Sequence, residues 1–149
     1  MTGITVEKHI EANPDRVFEI ASDFAGAPER ISGIQQVEML SDGPVGVGTR
    51  FRETRTLFGQ QATEEMEVTE FDRPSSYTLA AENHGCRFES KITFTPSGSG
   101  TVVQMSFEAT PVSLVAKAMA AAMEPMIKKV AEECGKDLDD LKAAIEKLG

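Results

Sequence analysis

Tryptophan is absent from this 149-residue chain, tyrosine occurs once, and only two histidines and two cysteines are present. Cys86 and Cys134 lie far apart and form no CxxC, so reduced, buried thiols in a cytoplasmic protein are expected rather than a disulfide framework. His9 falls on the polar phase of a strand pattern and His84 in an Asn83-His84-Gly85 turn. With no HxH, HExxH or aspartate-rich loop, no metal site is expected. No apolar run approaches the ~20 residues of a membrane span. The opening MTGITVEKHIEANPDR lacks the apolar stretch of a signal peptide, and stable membrane insertion is not expected. Basic residues are also scarce. Fifteen Lys+Arg face 24 Asp+Glu, giving a net charge of -9, and residues 1–110 alone carry -8. Such a surface repels phosphates, which argues against nucleic acid as a partner. Gly43, Gly46 and Gly48 are broken by Pro44 and precede a strand, so they make a turn and not a phosphate loop. There is no G-x-S-x-G nucleophile elbow, and nothing in the chain calls for a cofactor.

What is present is the composition of one globular domain over residues 1–149, with 40% hydrophobic and 26% charged residues. A chain of this length can bury a core without staples. Ile4, Val6 and Ile10 alternate with polar residues, which predicts a half-buried strand over 3–11. Asn13-Pro14-Asp15 then offers an N-cap, a proline at the first helical position and an acid in the first turn. Val17, Ile20, Ala21 and Phe24 continue at helical spacing. Ala25-Gly26-Ala27-Pro28 interrupts that pattern, and Glu29 to Ile34 reads as a second short helix or turn.

From Gln35 to Thr110, β-branched and apolar stretches alternate with turn signals such as Asp42-Gly43-Pro44, Phe58-Gly59 and Arg73-Pro74-Ser75-Ser76. They predict strands over 35–41, 48–57, 61–72, 76–83, 86–95 and 101–110, joined by hairpins because no crossover helix fits between them. After Thr110-Pro111, one apolar phase runs through Val115, Met119, Ala122, Met126, Val130, Cys134, Leu138, Leu141, Ile145 and Leu148. That phase predicts a long helix, kinked near Ala121–Pro125 by the proline.

A helix cannot cover seven twisted strands by lying flat, so the economical packing is a curved antiparallel sheet gripping it. This α+β order resembles the helix-grip fold of the START-like, or SRPBCC, superfamily, and within it the polyketide cyclase/dehydrase-type branch of small bacterial ligand-binding proteins. The likeness is carried by five stretches in order. They are Ile4–Glu7 leading to Asn13–Phe18, Gly46-Val47-Gly48-Thr49-Arg50-Phe51, and Val68 to Pro74. Phe94-Thr95-Pro96 with Gly98–Val103, and Leu138-Asp139-Asp140-Leu141-Lys142, complete the set. One departure stands out: many relatives carry a bulky aromatic where this chain has Ile31-Ser32-Gly33-Ile34, so the mouth of any cavity is expected to be lined differently.

Taking Phe51 as inward, the strand phases place Glu53, Arg55, Met66, Tyr77, Leu79, Phe88, Ser90, Ile92 and Met105 on the face toward the helix. Met119, Met123 and Met126 join them from the helix. Phe and Met dominate this set, and Met adapts to irregular apolar contents. Ala116, Ala118 and Ala120–Ala122 add little volume at the middle of the helix. Buried polar groups without partners cost about 1–3 kcal/mol each, so Glu53, Arg55, Glu64, Tyr77 and Ser90 must pair, reach water or face a ligand. The expectation is a cavity for a small hydrophobic, lipid- or polyketide-like molecule, held by a monomer or homodimer. An alternative implied by the resemblance is a metal-free cyclase, aromatase or dehydratase, with Glu53 as base, Tyr77 as acid and Arg55 as oxyanion partner. A protein-interaction module is the third reading, and fold alone does not separate the three.

Overall fold

The computed structural model describes residues 2–57, 59–83, 85–119 and 124–148, without the side chains of Thr2, Glu124 and Met126. Seven strands form one antiparallel sheet: β1 (Thr2–Ile10), β2 (Ile34–Met39), β3 (Arg50–Leu57), β4 (Gln60–Asp72), β5 (Ser76–Asn83), β6 (Cys86–Ser97) and β7 (Gly100–Pro111). Their spatial order is β1-β7-β6-β5-β4-β3-β2, so every consecutive pair from β2 to β7 is a hairpin or meander neighbour and β1 closes onto β7. The connection from β1 to β2 must therefore pass from one edge of the sheet to the other. It does so through α1 (Pro14–Ala21) and a 3-10 helix (Phe24–Glu29).

Local chemistry accounts for these helices. The Asn13 side chain accepts from the Arg16 amide and Pro14 opens α1, so the helix starts where its cap allows. Over Glu29–Ile34, where the pattern predicts a short helix or turn, the chain turns at Arg30 and at Ser32-Gly33, and the second helix lies earlier. Asp23 caps it through the Gly26 amide, and Arg30 donates to the Ile20 and Asp23 carbonyls, so Ala25-Gly26-Ala27-Pro28 sits within the 3-10 turn instead of interrupting it.

The C-terminal segment departs more from expectation. The apolar phase predicts one long helix, but a short helix, α2 (Leu114–Ala118), ends at the Met119 cap, and α3 begins afresh, spanning Glu124–Leu148. Pro125 thus occupies the first turn of α3, where its missing N–H is harmless. The rest of the anticipated kink, including Ala121 and Ala122, lies outside the described residues. The start of α2 is fixed by Ser113, which caps the Ala116 amide while packing over Gly85. Gly85 has φ +74 in the β5–β6 turn, and a Cβ there would collide with Ser113. This seating turns Ala116 inward and rotates Leu114 and Val115 outward, to 85% and 71% exposure. No helix among the described residues is long and apolar enough to cross a membrane.

α3 packs on β1 and is tied at several levels. Lys142 donates to the His9 carbonyl, Glu146 accepts from the Glu11 amide, and Asp140 accepts from the Ser32 amide and hydroxyl. Ile127, Leu138, Leu141 and Ile145 are its buried face. At one end of the sheet the core is filled. Phe18 is fully buried and meets Phe71, Tyr77 and Phe94 edge-on, with ring centroids 5.1, 5.8 and 5.1 Å away.

Candidate functional site

Toward the other end, the inward positions shrink. The register pairs Arg55 with Ala62, Ala81 with Phe88, and Leu79 with Ser90, so small side chains face the helix where the opposite end carries rings. From α3, Val130, Glu133, Cys134, Asp137, Leu138 and Leu141 line the opposite wall without closing the gap. The result is a cavity of about 600 Å³ between the sheet, the 3-10 segment and α3. That lies within the range of small-molecule sites, roughly 300–1,000 Å³.

The strand phase inferred from the sequence holds throughout this wall. Phe51 pairs with Met66, Glu53 with Glu64, Tyr77 with Ile92, and Ile92 with Met105. Phe51, Glu53, Arg55, Met66, Tyr77, Leu79, Phe88, Ser90, Ile92 and Met105 all line the cavity. Met119 does not. It lies at the end of α2, 57% exposed, because the break between α2 and α3 detaches it from the phase of the long helix. Met123 and the Met126 side chain lie outside the described residues.

The expected plug after the first strand is present, but Phe24 was not among the expected lining residues. Phe24, Ile31 and Ile34 line the cavity from the 3-10 segment and the strand that follows. Phe24 stacks on Phe51 with ring centroids 4.6 Å apart. Ile20, Phe24, Ala27 and Ile31 recur every three or four residues, a signal that was present but was obscured by the Gly and Pro between them. Asp137 was missed as well. It stands three residues after Cys134 and next to Leu138, an acid adjoining an apolar stripe.

The polar end of the cavity is a chain of charges. Arg55 donates from Nε to Glu53 Oε1 at 2.7 Å and from Nη2 to Asp137 Oδ2 at 2.9 Å. All three side chains are at least four-fifths buried. Burial opposes the Arg55 charge, but Glu53 and Asp137 more than offset it, and the guanidinium is held charged beyond its ordinary value. Burial pushes the Asp137 carboxyl up, and Arg55 works against that shift. Burial, with Asp137 next, pushes the Cys134 thiol up to about 11, so at neutral pH it is a thiol and a poor nucleophile. Glu64, opposite Glu53, accepts from the Asn83 amide at 2.7 Å.

Tyr77 lies deeper, between Phe18 and Phe24. Its hydroxyl donates to the Ala21 carbonyl at 3.3 Å. Burial first, and Glu53 second, raise its pKa far above the ordinary phenol value, so it is neutral at any physiological pH. The two residues suggested as acid and base therefore line one cavity, but the phenol proton is already engaged by backbone.

Sequence and structure comparisons bear on this arrangement. The family model described as polyketide cyclase / dehydrase and lipid transport matches residues 1–146. The chain belongs to this polyketide cyclase / dehydrase and lipid transport family. Among solved structures, TTHA0849 from Thermus thermophilus superposes with a TM-score of 0.79 at 20% identity, covering 99% of each chain. A START superfamily protein from Mycobacterium smegmatis gives 0.79 at 17% identity, again covering 99% of both chains. The di-domain ARO/CYC StfQ from the steffimycin biosynthetic pathway gives 0.78 at 14% identity, over 97% of this chain and 50% of that one. At these identities the likeness establishes the helix-grip fold. Comparison with curated proteins finds no significant match. The wall at Ile31 and Ile34 is aliphatic.

Proposed function

We propose that this family member binds and carries a small hydrophobic molecule in the cavity between sheet and α3. The observation that carries this reading is a space of about 600 Å³ whose walls are mostly Phe, Ile, Leu, Met and Ala, with few charged groups among them. Apolar walls supply affinity, and a few placed polar groups orient the ligand. Membership of a family whose description spans lipid transport and polyketide chemistry supports the same class of ligand. Two free thiols, Cys86 and Cys134, support a reducing, cytoplasmic setting.

A cyclase- or dehydratase-type reaction is less well supported. It would need a proton donor and a base free to act on one ligand atom. Tyr77 donates to Ala21, and Glu53 is held by Arg55. The test of carriage is titration with an apolar fluorescent probe, together with native mass spectrometry of the purified protein. Saturable binding at micromolar concentration, or a co-purified small molecule, is the expected result. Absence of both would overturn the reading.

A further inference from the structure

Four carboxylates and two guanidinium groups line the cavity: Glu53, Glu64, Glu133 and Asp137 against Arg30 and Arg55. Arg30 is committed elsewhere, 3.4 Å from the Asp23 carboxylate and donating to the Ile20 and Asp23 carbonyls. Glu133 has Lys136 at 3.4 Å on its outer side. Among the described residues, Glu64 is met by the neutral Asn83 amide and by no cation. What remains at the buried polar end is the Glu53–Arg55–Asp137 trio, one positive charge between two negative ones.

Two of the five N–H groups of Arg55 go to these carboxylates, whose two negative charges exceed its own, so an incoming anion meets a net negative group. Each carboxylate, by contrast, uses one oxygen for Arg55 and keeps a second as acceptor. A net negative charge in an apolar enclosure is costly until a cation or a proton donor answers it. Burial first, and Glu53 and Glu133 after it, push the Asp137 carboxyl up against the pull of Arg55.

We propose that the cavity selects amphiphiles with a cationic amine at the polar end and rejects those ending in a carboxylate. This inference rests on the carrier reading and sharpens it to a ligand class. An alkylammonium group would bring the trio to neutrality and donate to the free oxygens of Glu53 and Asp137, while its chain lies along Met66, Leu79 and Ile92. A carboxylate of the same length would add a further negative charge to an end that already carries an excess of it.

The experiment is displacement of a bound apolar dye by decylamine, decanol and decanoic acid at pH 7. The amine is expected to bind roughly tenfold or more tightly than the acid, with the alcohol between them. Asp137→Asn, and separately Glu53→Gln, should shrink the amine-over-acid ratio several-fold. Using both variants guards against misfolding of either, and the parent series is decisive by itself. Equal binding of acid and amine, or tighter binding of the acid, would overturn the selectivity while leaving carriage intact. Failure of all three to displace the dye would remove the carrier reading and this one with it.

Discussion

Arg55 and Asp137 stand 82 positions apart in sequence, yet Nη2 of one lies 2.9 Å from Oδ2 of the other. Through that contact the β3 strand and the middle of α3 meet at the polar end of the cavity. Asp137 and Glu133 also line a separate surface groove of about 420 Å³ with Ser32, Gly33 and Thr56. The ion pair therefore stands between the interior and an outer groove.

Removing the cation from this arrangement should be costly. Arg55→Ala leaves two largely buried carboxylates facing each other, and a loss of about 3 kcal/mol or more is expected in urea denaturation at pH 7. Adding Glu53→Gln and Asp137→Asn to the same chain should recover much of it. A loss below about 0.5 kcal/mol for the single variant would mean that water already solvates the trio.

Ser90 separates a cavity from a filled core. It lies between Leu79 and Phe107 on the inward phase, among large neighbours but lining open space. Ser90→Trp should occupy the cavity, abolish dye binding and leave the melting temperature within a few degrees of the parent. In a solid core the same change would overpack and destabilise by about 1–3 kcal/mol. Strong destabilisation without any parental dye binding would contradict the site.

Cys134 reports on the same space chemically. Its thiol is pushed up to about 11, so iodoacetamide should modify it slowly at pH 7.5 and much faster once urea restores the ordinary value near 9. A bound amphiphile should slow the native reaction further, because Cys134 lines the cavity. The sign for stability follows from the raised value. The native state holds this proton longer than the unfolded chain, so stability should fall as pH rises from about 9 through about 11, and Cys134→Ala should flatten that fall. Peptide mass spectrometry and pH-dependent denaturation read the two effects. Rapid native labelling at pH 7.5 would show a thiol more accessible and more acidic than described.

The filled end should behave differently. Phe18 is fully buried against Phe71, Tyr77 and Phe94, and it does not line the cavity. Phe18→Ala should therefore lose about 3–5 kcal/mol of stability yet keep dye affinity within about twofold where the chain is still folded. Loss of binding at full folding would show that the two ends are coupled through Tyr77.

Much of this molecule can be read from local pattern. Period-two alternation from Phe51 to Phe107 assigns each strand's inward face without any tertiary information, because neighbouring side chains on a strand must point to opposite sides. Asn13-Pro14 and the glycine turns at 59, 85 and 98 mark where helices and hairpins begin, since those backbone positions favour few residue types. The strand-borne lining residues, from Phe51 to Met105, follow from that reasoning. Pattern alone does not say whether the space between two apolar faces is full. That depends on which small side chains meet across it, as Ala62, Ala81 and Ser90 do opposite the slender middle of α3. Nor does it join Arg55 to Asp137, because an ion pair between distant segments leaves no periodic trace. The exposure of Val115 and Met119 likewise comes from packing: Ser113 against Gly85 rotates α2 by its cap, and helical phase is lost wherever the chain breaks. Local sequence sets which side of each element is apolar; long-range packing sets what that side encloses.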